Sequence, residues 1–217
     1  LCAYDENGWD ISPYLAYGDP FCGESADYRV FIDCPKEYVI AGSGEVRYIT
    51  NETGNHAEYY LENIRDFSLA FSKHYKKIVD NGKYNVSYYY YNDSDPKLSL
   101  STAVKALDTF EIFGKYRYPS FTVAQTGFSQ GGMEYGGMVT VTDTLCSEDL
   151  QYVIVHETAH QWWYNMVGNN QITEAFLDEG LTEFSTAYFF EVNNEYGNSM
   201  ENITYNAKLN LDAYRKL

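Results

Sequence analysis

The sequence predicts an α+β chain, and three observations carry that prediction. Period-two apolar runs crowd the stretch before about residue 91, and helical spacing takes over after a turn-rich break at Asn92 to Pro96. The composition agrees: the chain is 45% hydrophobic and 18% aromatic, with 23 tyrosines, a residue suited to half-buried pleated surfaces. That much apolar material supports a core and excludes disorder. The 217 residues allow one large or two small domains.

Strands are expected at Tyr28 to Asp33, Tyr38 to Ala41, Glu58 to Ile64 and Val86 to Tyr91, separated by turns such as Gly42 to Gly44 and Asn51 to Asn55. Beyond Pro96, Leu100, Ala103, Val104, Leu107 and Phe110 fall at helical spacing, and Gly114 stops that helix. Phe121 to Ala124 and Met138 to Val141 read as two further strands bracketing Gly131 to Gly137, GGMEYGG. Ser147 is a good N-cap with Glu148 and Asp149 in the first turn, so a helix should run from there through Trp163. After the Gly168 to Asn170 turn, Thr173 should cap a second amphipathic helix carrying Phe176, Leu177, Leu181, Phe184 and Tyr188. A short link places these two helices side by side and antiparallel.

Charge and cysteines narrow the function. Fifteen basic against 31 acidic side chains give a net charge of −16, which argues against nucleic acid as a partner. Cys2, Cys22, Cys34 and Cys146 form no Cys-x-x-Cys pair, so neither a zinc ribbon nor a thioredoxin-type motif is present. No apolar run reaches the length of a membrane span, and Leu1 opens into polar sequence without a basic leader. The compartment stays open between cytoplasmic and cell-surface.

The segment with chemistry is His156-Glu157-Thr158-Ala159-His160. Residues four apart on a helix share a face, so both imidazoles can bind one metal ion. Glu157 lies about 100° round the helix, near enough to serve a metal-bound water as general base without being a ligand. A hydrolytic zinc site wants three protein ligands and an open position. Glu179, one helix later, is the third donor that an antiparallel neighbour would bring level with the histidines. Glu183, one turn further, is read as helix surface, and Trp162 and Trp163 as packing residues.

HETAH, then 18 intervening residues, then Glu179 inside LDEG resembles the gluzincin aminopeptidases of the membrane alanyl aminopeptidase (aminopeptidase N) family. Gly131, Gly132, Met133 and Glu134 match that family's Gly-x-Met-Glu-Asn strand, with Tyr135 in place of the asparagine. GDPF from Gly18, CPKEYVIAGSGEV from Cys34 and IRDFSLAFS from Ile64 are similar to the closing strands of its N-terminal β-saddle domain. The resemblance implies that residues 1–91 are the end of the β-saddle and residues 92–217 the first part of a thermolysin-like catalytic domain.

It further implies one zinc ion on His156, His160 and Glu179, with Glu157 as general base. Glu134 would pair with the α-ammonium group of peptides with a free N-terminus, and Gly131 to Met133 would bind their backbone. The family's oxyanion tyrosine would fall beyond Leu217. Losing one such donor costs about 10² to 10³ in rate, so this segment is expected to bind zinc yet hydrolyse aminoacyl substrates poorly. A non-catalytic zinc-binding relative, an endopeptidase and an epoxide hydrolase are the alternatives.

Overall fold

A computed structural model of the chain describes residues 4–9, 23–145 and 147–194. The GDPF motif, Cys2, Cys22 and Cys146 lie outside them, and so does the side chain of the expected cap Ser147. After a small hairpin, β1 (Tyr4–Asp5) and β2 (Gly8–Trp9), come two antiparallel groups. One joins β3 (Ala26–Cys34), β6 (Asn55–Ile64) and the edge strand β5 (Glu45–Thr50). The other is the ribbon of β4 (Val39–Gly42) and β7 (Leu69–Ser72). β3 alternates half-buried and exposed residues along its length, as a strand covered on one face should.

The second sheet has five strands in the order β11-β12-β10-β9-β8. They are β8 (Lys76–Asp80), β9 (Val86–Tyr90), β10 (Phe121–Thr126), β11 (Gly132–Met133) and β12 (Met138–Thr142). β9, β10 and β12 run parallel, while β8 and β11 pair antiparallel at the two edges. This sheet crosses the expected division between residues 91 and 92, because β8 and β9 lie before it.

Both faces of the sheet are covered. Tyr88, Val123, Val139 and Val141 pack with α1 (Pro96–Phe110) and α2 (Ser147–Ala159) on one side. Tyr89, Ala124 and Met138 pack with Ala41, Tyr75 and the ribbon on the other. The run VSYYYY needs aromatic rings in succession because successive side chains enter opposite cores. Among the described residues no helix is long and apolar enough to cross a membrane.

α1 begins where predicted: the Asp95 carboxylate accepts from Leu98 N–H at 3.1 Å and Pro96 occupies the first turn. A 3₁₀ turn, Glu111–Phe113, extends it to Gly114, whose φ of +139° ends the run. Two expected helix boundaries are corrected. α2 stops at Ala159 rather than Trp163, because the chain turns there, with Asn165 N–H on the His160 carbonyl and Tyr164 at a φ of +128°. Thr173 caps no helix: it lies in a turn closed by the Asn170 side chain. The next helical residues are a π-helical turn, Phe176–Gly180, leading straight into α3 (Leu181–Val192). α3 runs antiparallel to α2, since Tyr152 stacks on Phe190 while His160 meets Thr182.

Candidate metal centre

α2 delivers His156 on its last turn and His160 just past its end, with the two Nε2 atoms 3.3 Å apart. Glu179 arrives from the π-helical turn, its Oε2 at 3.4 Å from His156 Nε2 and its Oε1 at 3.8 Å from His160 Nε2. Ligand atoms 2.0–2.2 Å from a tetrahedral zinc stand about 3.3–3.6 Å from one another, so this donor set fits that ion.

The far side of each ring decides its tautomer. His160 Nδ1 is 2.9 Å from the Trp163 carbonyl and 3.1 Å from Thr182 Oγ1, so it carries the proton and turns the Nε2 lone pair to the site. Burial, with His156 nearby, pushes the His160 pKa down to about 4, so this ring is neutral and ready to ligate at neutral pH. His156 Nδ1 faces Glu183 Oε1 at 3.3 Å, and Glu183 Oε2 accepts from the Tyr152 hydroxyl at 2.7 Å. Burial opposes charge on His156, but the carboxylates of Glu179 and Glu183 outweigh it and hold that ring well above the usual histidine range.

Glu183 is therefore more than the helix surface expected of it. Its side chain is 45% exposed, yet its carboxylate backs a histidine of the centre. The signal for it was its place one helical turn beyond Glu179. Tyr152, at i−4 from His156, completes the chain of contacts.

A cavity of about 300 Å³ opens on the donors, lined by Gln130, Gly131, Gly132, Glu134, His156, Glu157, His160 and Glu179. It gathers every expected site residue except Met133, which is buried on β11. Glu134, Glu157 and His160 present donor atoms within 4.8 Å of one another. Gly132 abuts Glu157 so closely that a Cβ there would run into the carboxylate. A larger cavity, about 480 Å³ beside Arg65 and Arg117, has no such cluster of donors among the described residues.

Three amides that sequence reasoning did not single out brace the segment after β11 that carries Glu134. Gln161 Nε2 donates to the Tyr135 carbonyl at 3.1 Å and its Oε1 accepts from Gly137 N–H at 2.8 Å. Asn165 donates to the Glu134 carbonyl at 3.1 Å, and Gln171 to the Glu134 carboxylate at 2.9 Å. Trp162 and Trp163 pack as expected, with indole N–H bonds to the Gly114 carbonyl and Ser185 Oγ, each 2.7 Å.

Comparison with known proteins adds a family. A family model described as the Peptidase family M1 domain matches residues 98–216, more than half of the chain. A puromycin-sensitive aminopeptidase of Caenorhabditis elegans is 27% identical over 180 residues, 75% of this chain and 16% of that protein. Aminopeptidase M1 of Arabidopsis thaliana is 33% identical over 99 residues, covering 39% of this chain and 11% of its own length. The chain thus spans only a small part of the relatives it matches. The fold is similar to a crystal structure of the M1 zinc metallopeptidase from Deinococcus radiodurans, with TM-score 0.64 and 17% identity over 78% of this chain and 42% of that one.

Proposed function

Since the chain belongs to peptidase family M1, we propose that it carries the metal centre of an aminopeptidase, a hydrolase that removes the first residue of peptides with a free N-terminus. The observation that carries this reading is the convergence of His156, His160 and Glu179 in one cavity with two further buried carboxylates, Glu157 and Glu134. We read residues 1–91 as the end of a β-saddle domain and residues 92–217 as the first part of a thermolysin-like domain, with β8 and β9 shared across that division.

His156, His160 and Glu179 would hold one zinc ion, which when bound supplies Lewis acidity toward a water molecule and a scissile carbonyl. Glu157, 6% exposed beside the donors, takes the proton from the attacking water and passes it to the leaving amine. Glu134 pairs with the substrate's α-ammonium group and so restricts cleavage to the first peptide bond. β11 lies at the edge of its sheet, and Gly131 to Met133 offer backbone to an extended peptide as an added strand would. With no Cβ at Gly132, that backbone approaches the Glu157 carboxylate closely.

Metal analysis of the wild-type chain beside His160→Ala tests the centre. One zinc per chain in the wild type and its loss in the variant are expected; a wild type that takes up no zinc would overturn the reading. Amine recognition is tested by a free-amine aminoacyl arylamide against its N-acetyl form, where equal cleavage would remove the exopeptidase assignment.

A further inference from the structure

Glu134 directly follows β11, a strand only two residues long, and the segment after α2 holds it at both backbone and side chain. Asn165 and Gln161 fix the carbonyls of Glu134 and Tyr135. The carboxylate itself is met by Gln171, whose Nε2 donates to Glu134 Oε1 at 2.9 Å and to Asp178 Oδ2 at 2.6 Å. All three side chains are buried: Gln171 is 2% exposed, Glu134 3% and Asp178 1%. The other oxygen of Asp178 accepts from Asn169 Nδ2 at 2.7 Å.

One amide nitrogen has two N–H groups, and here each meets a buried acid. A flipped amide would turn its carbonyl oxygen on both carboxylates, so chemistry fixes the orientation. Gln171 is absent from the lining of the cavity, so it acts on Glu134 from behind. A buried carboxylate without donors is costly, and a buried donor such as the Gln171 amide narrows the rotamers that Glu134 can adopt.

We propose that Gln171 is the positioning residue for amine recognition, orienting the Glu134 carboxylate toward the substrate's α-ammonium group. The proposal rests on the reading of Glu134 as the amine site. A purely structural Gln171, present only to satisfy Asp178, would affect stability and leave discrimination for the amine untouched.

The test compares leucine hydroxamate with isocaproic hydroxamate, the same molecule without its amine, binding to the zinc-loaded chain by calorimetry. Both engage the metal through the hydroxamate, so the ratio of their affinities isolates the amine contact. Gln171→Met, of similar length but without donors, should shrink that ratio about tenfold or more, the usual scale of a hydrogen bond to a charged group. The des-amino compound should lose far less. Gln171→Glu keeps the volume and replaces the donor by an acceptor; it should act in the same direction and carries the test if Gln171→Met fails to hold zinc. A wild-type ratio in either zinc-loaded variant overturns the proposal. Glu134→Gln separates the two levels: a ratio preserved there overturns the amine site itself. A ratio lost there but kept in the Gln171 variants overturns the positioning role alone.

Discussion

Glu183 is the residue for which distance changed the interpretation most. A glutamate one turn beyond a ligand has two fates on a helix, solvent or the ligand's partner, and sequence spacing alone does not choose between them. Its 3.3 Å approach to His156 Nδ1 and its bond from Tyr152 choose the second. Partners of this kind typically contribute 10–100-fold in metal affinity. Glu183→Ala should therefore weaken zinc binding by about that factor in a chelator competition, while the folded chain still takes up the ion at saturating concentration. Unchanged affinity would return Glu183 to the surface. His156, His160, Glu157 and Glu179 were legible because a helical period and a spacing encode them. Gln161, Asn165 and Gln171 were not, since an amide has no motif and acquires meaning only from the carbonyl or carboxylate it meets.

Among elements, the aromatic strand β9 was easy to find and harder to interpret. Its consecutive tyrosines mark a strand covered on both faces, and burial bears this out, with Tyr88 fully buried and Tyr89 5% exposed. Tyr60 on β6 is 48% exposed and faces water. Tyr88→Ala should cost about 3–5 kcal/mol of stability, as deletions of large buried rings do. Tyr60→Ala should stay within about 0.5 kcal/mol. Urea unfolding of the two variants checks the contrast, and similar losses would contradict the burial argument. Periodicity alone did not mark β5, β7 and β8, which are short or mixed in polarity: every residue of β5 is exposed, β8 opens with two lysines, and β7 lies within IRDFSLAFS, marked only by its resemblance to closing β-saddle strands. The over-extended end of α2 has a different cause. Apolar and aromatic residues continue past Ala159, but they turn inward on a chain that has left the helix.

Across the whole molecule, one carboxylate ties the first strands to the site. Asp66, just after β6, accepts from Gly136 N–H at 2.8 Å and from the Tyr164 hydroxyl at 2.7 Å. Gly136 lies two residues after Glu134 and Tyr164 four after His160, so this contact joins both halves of the centre to the first three-stranded group. Burial raises the Asp66 pKa above the ordinary 3.8, although the two hydrogen bonds pull the other way. The folded state thus holds this proton more readily than the unfolded chain. Its contribution is complete below the unfolded value and is lost as pH rises through the raised one. Unfolding midpoints measured from acid toward neutral pH should show that loss in the wild type, and Asp66→Asn should flatten it. Identical pH profiles would exclude Asp66 as the source. No pattern could announce a contact whose partners stand 70 and 98 positions apart.

Among the described residues β11 has a neighbour on one side only, and it is two residues long. An open strand edge invites pairing with any extended chain, including another copy of the same protein, and natural sheets limit that hazard by keeping such edges very short. The brevity that would suit the proposed grip on the first residues of a peptide also denies a longer strand its foothold. A loop substitution that lengthened β11 would be expected to favour self-association.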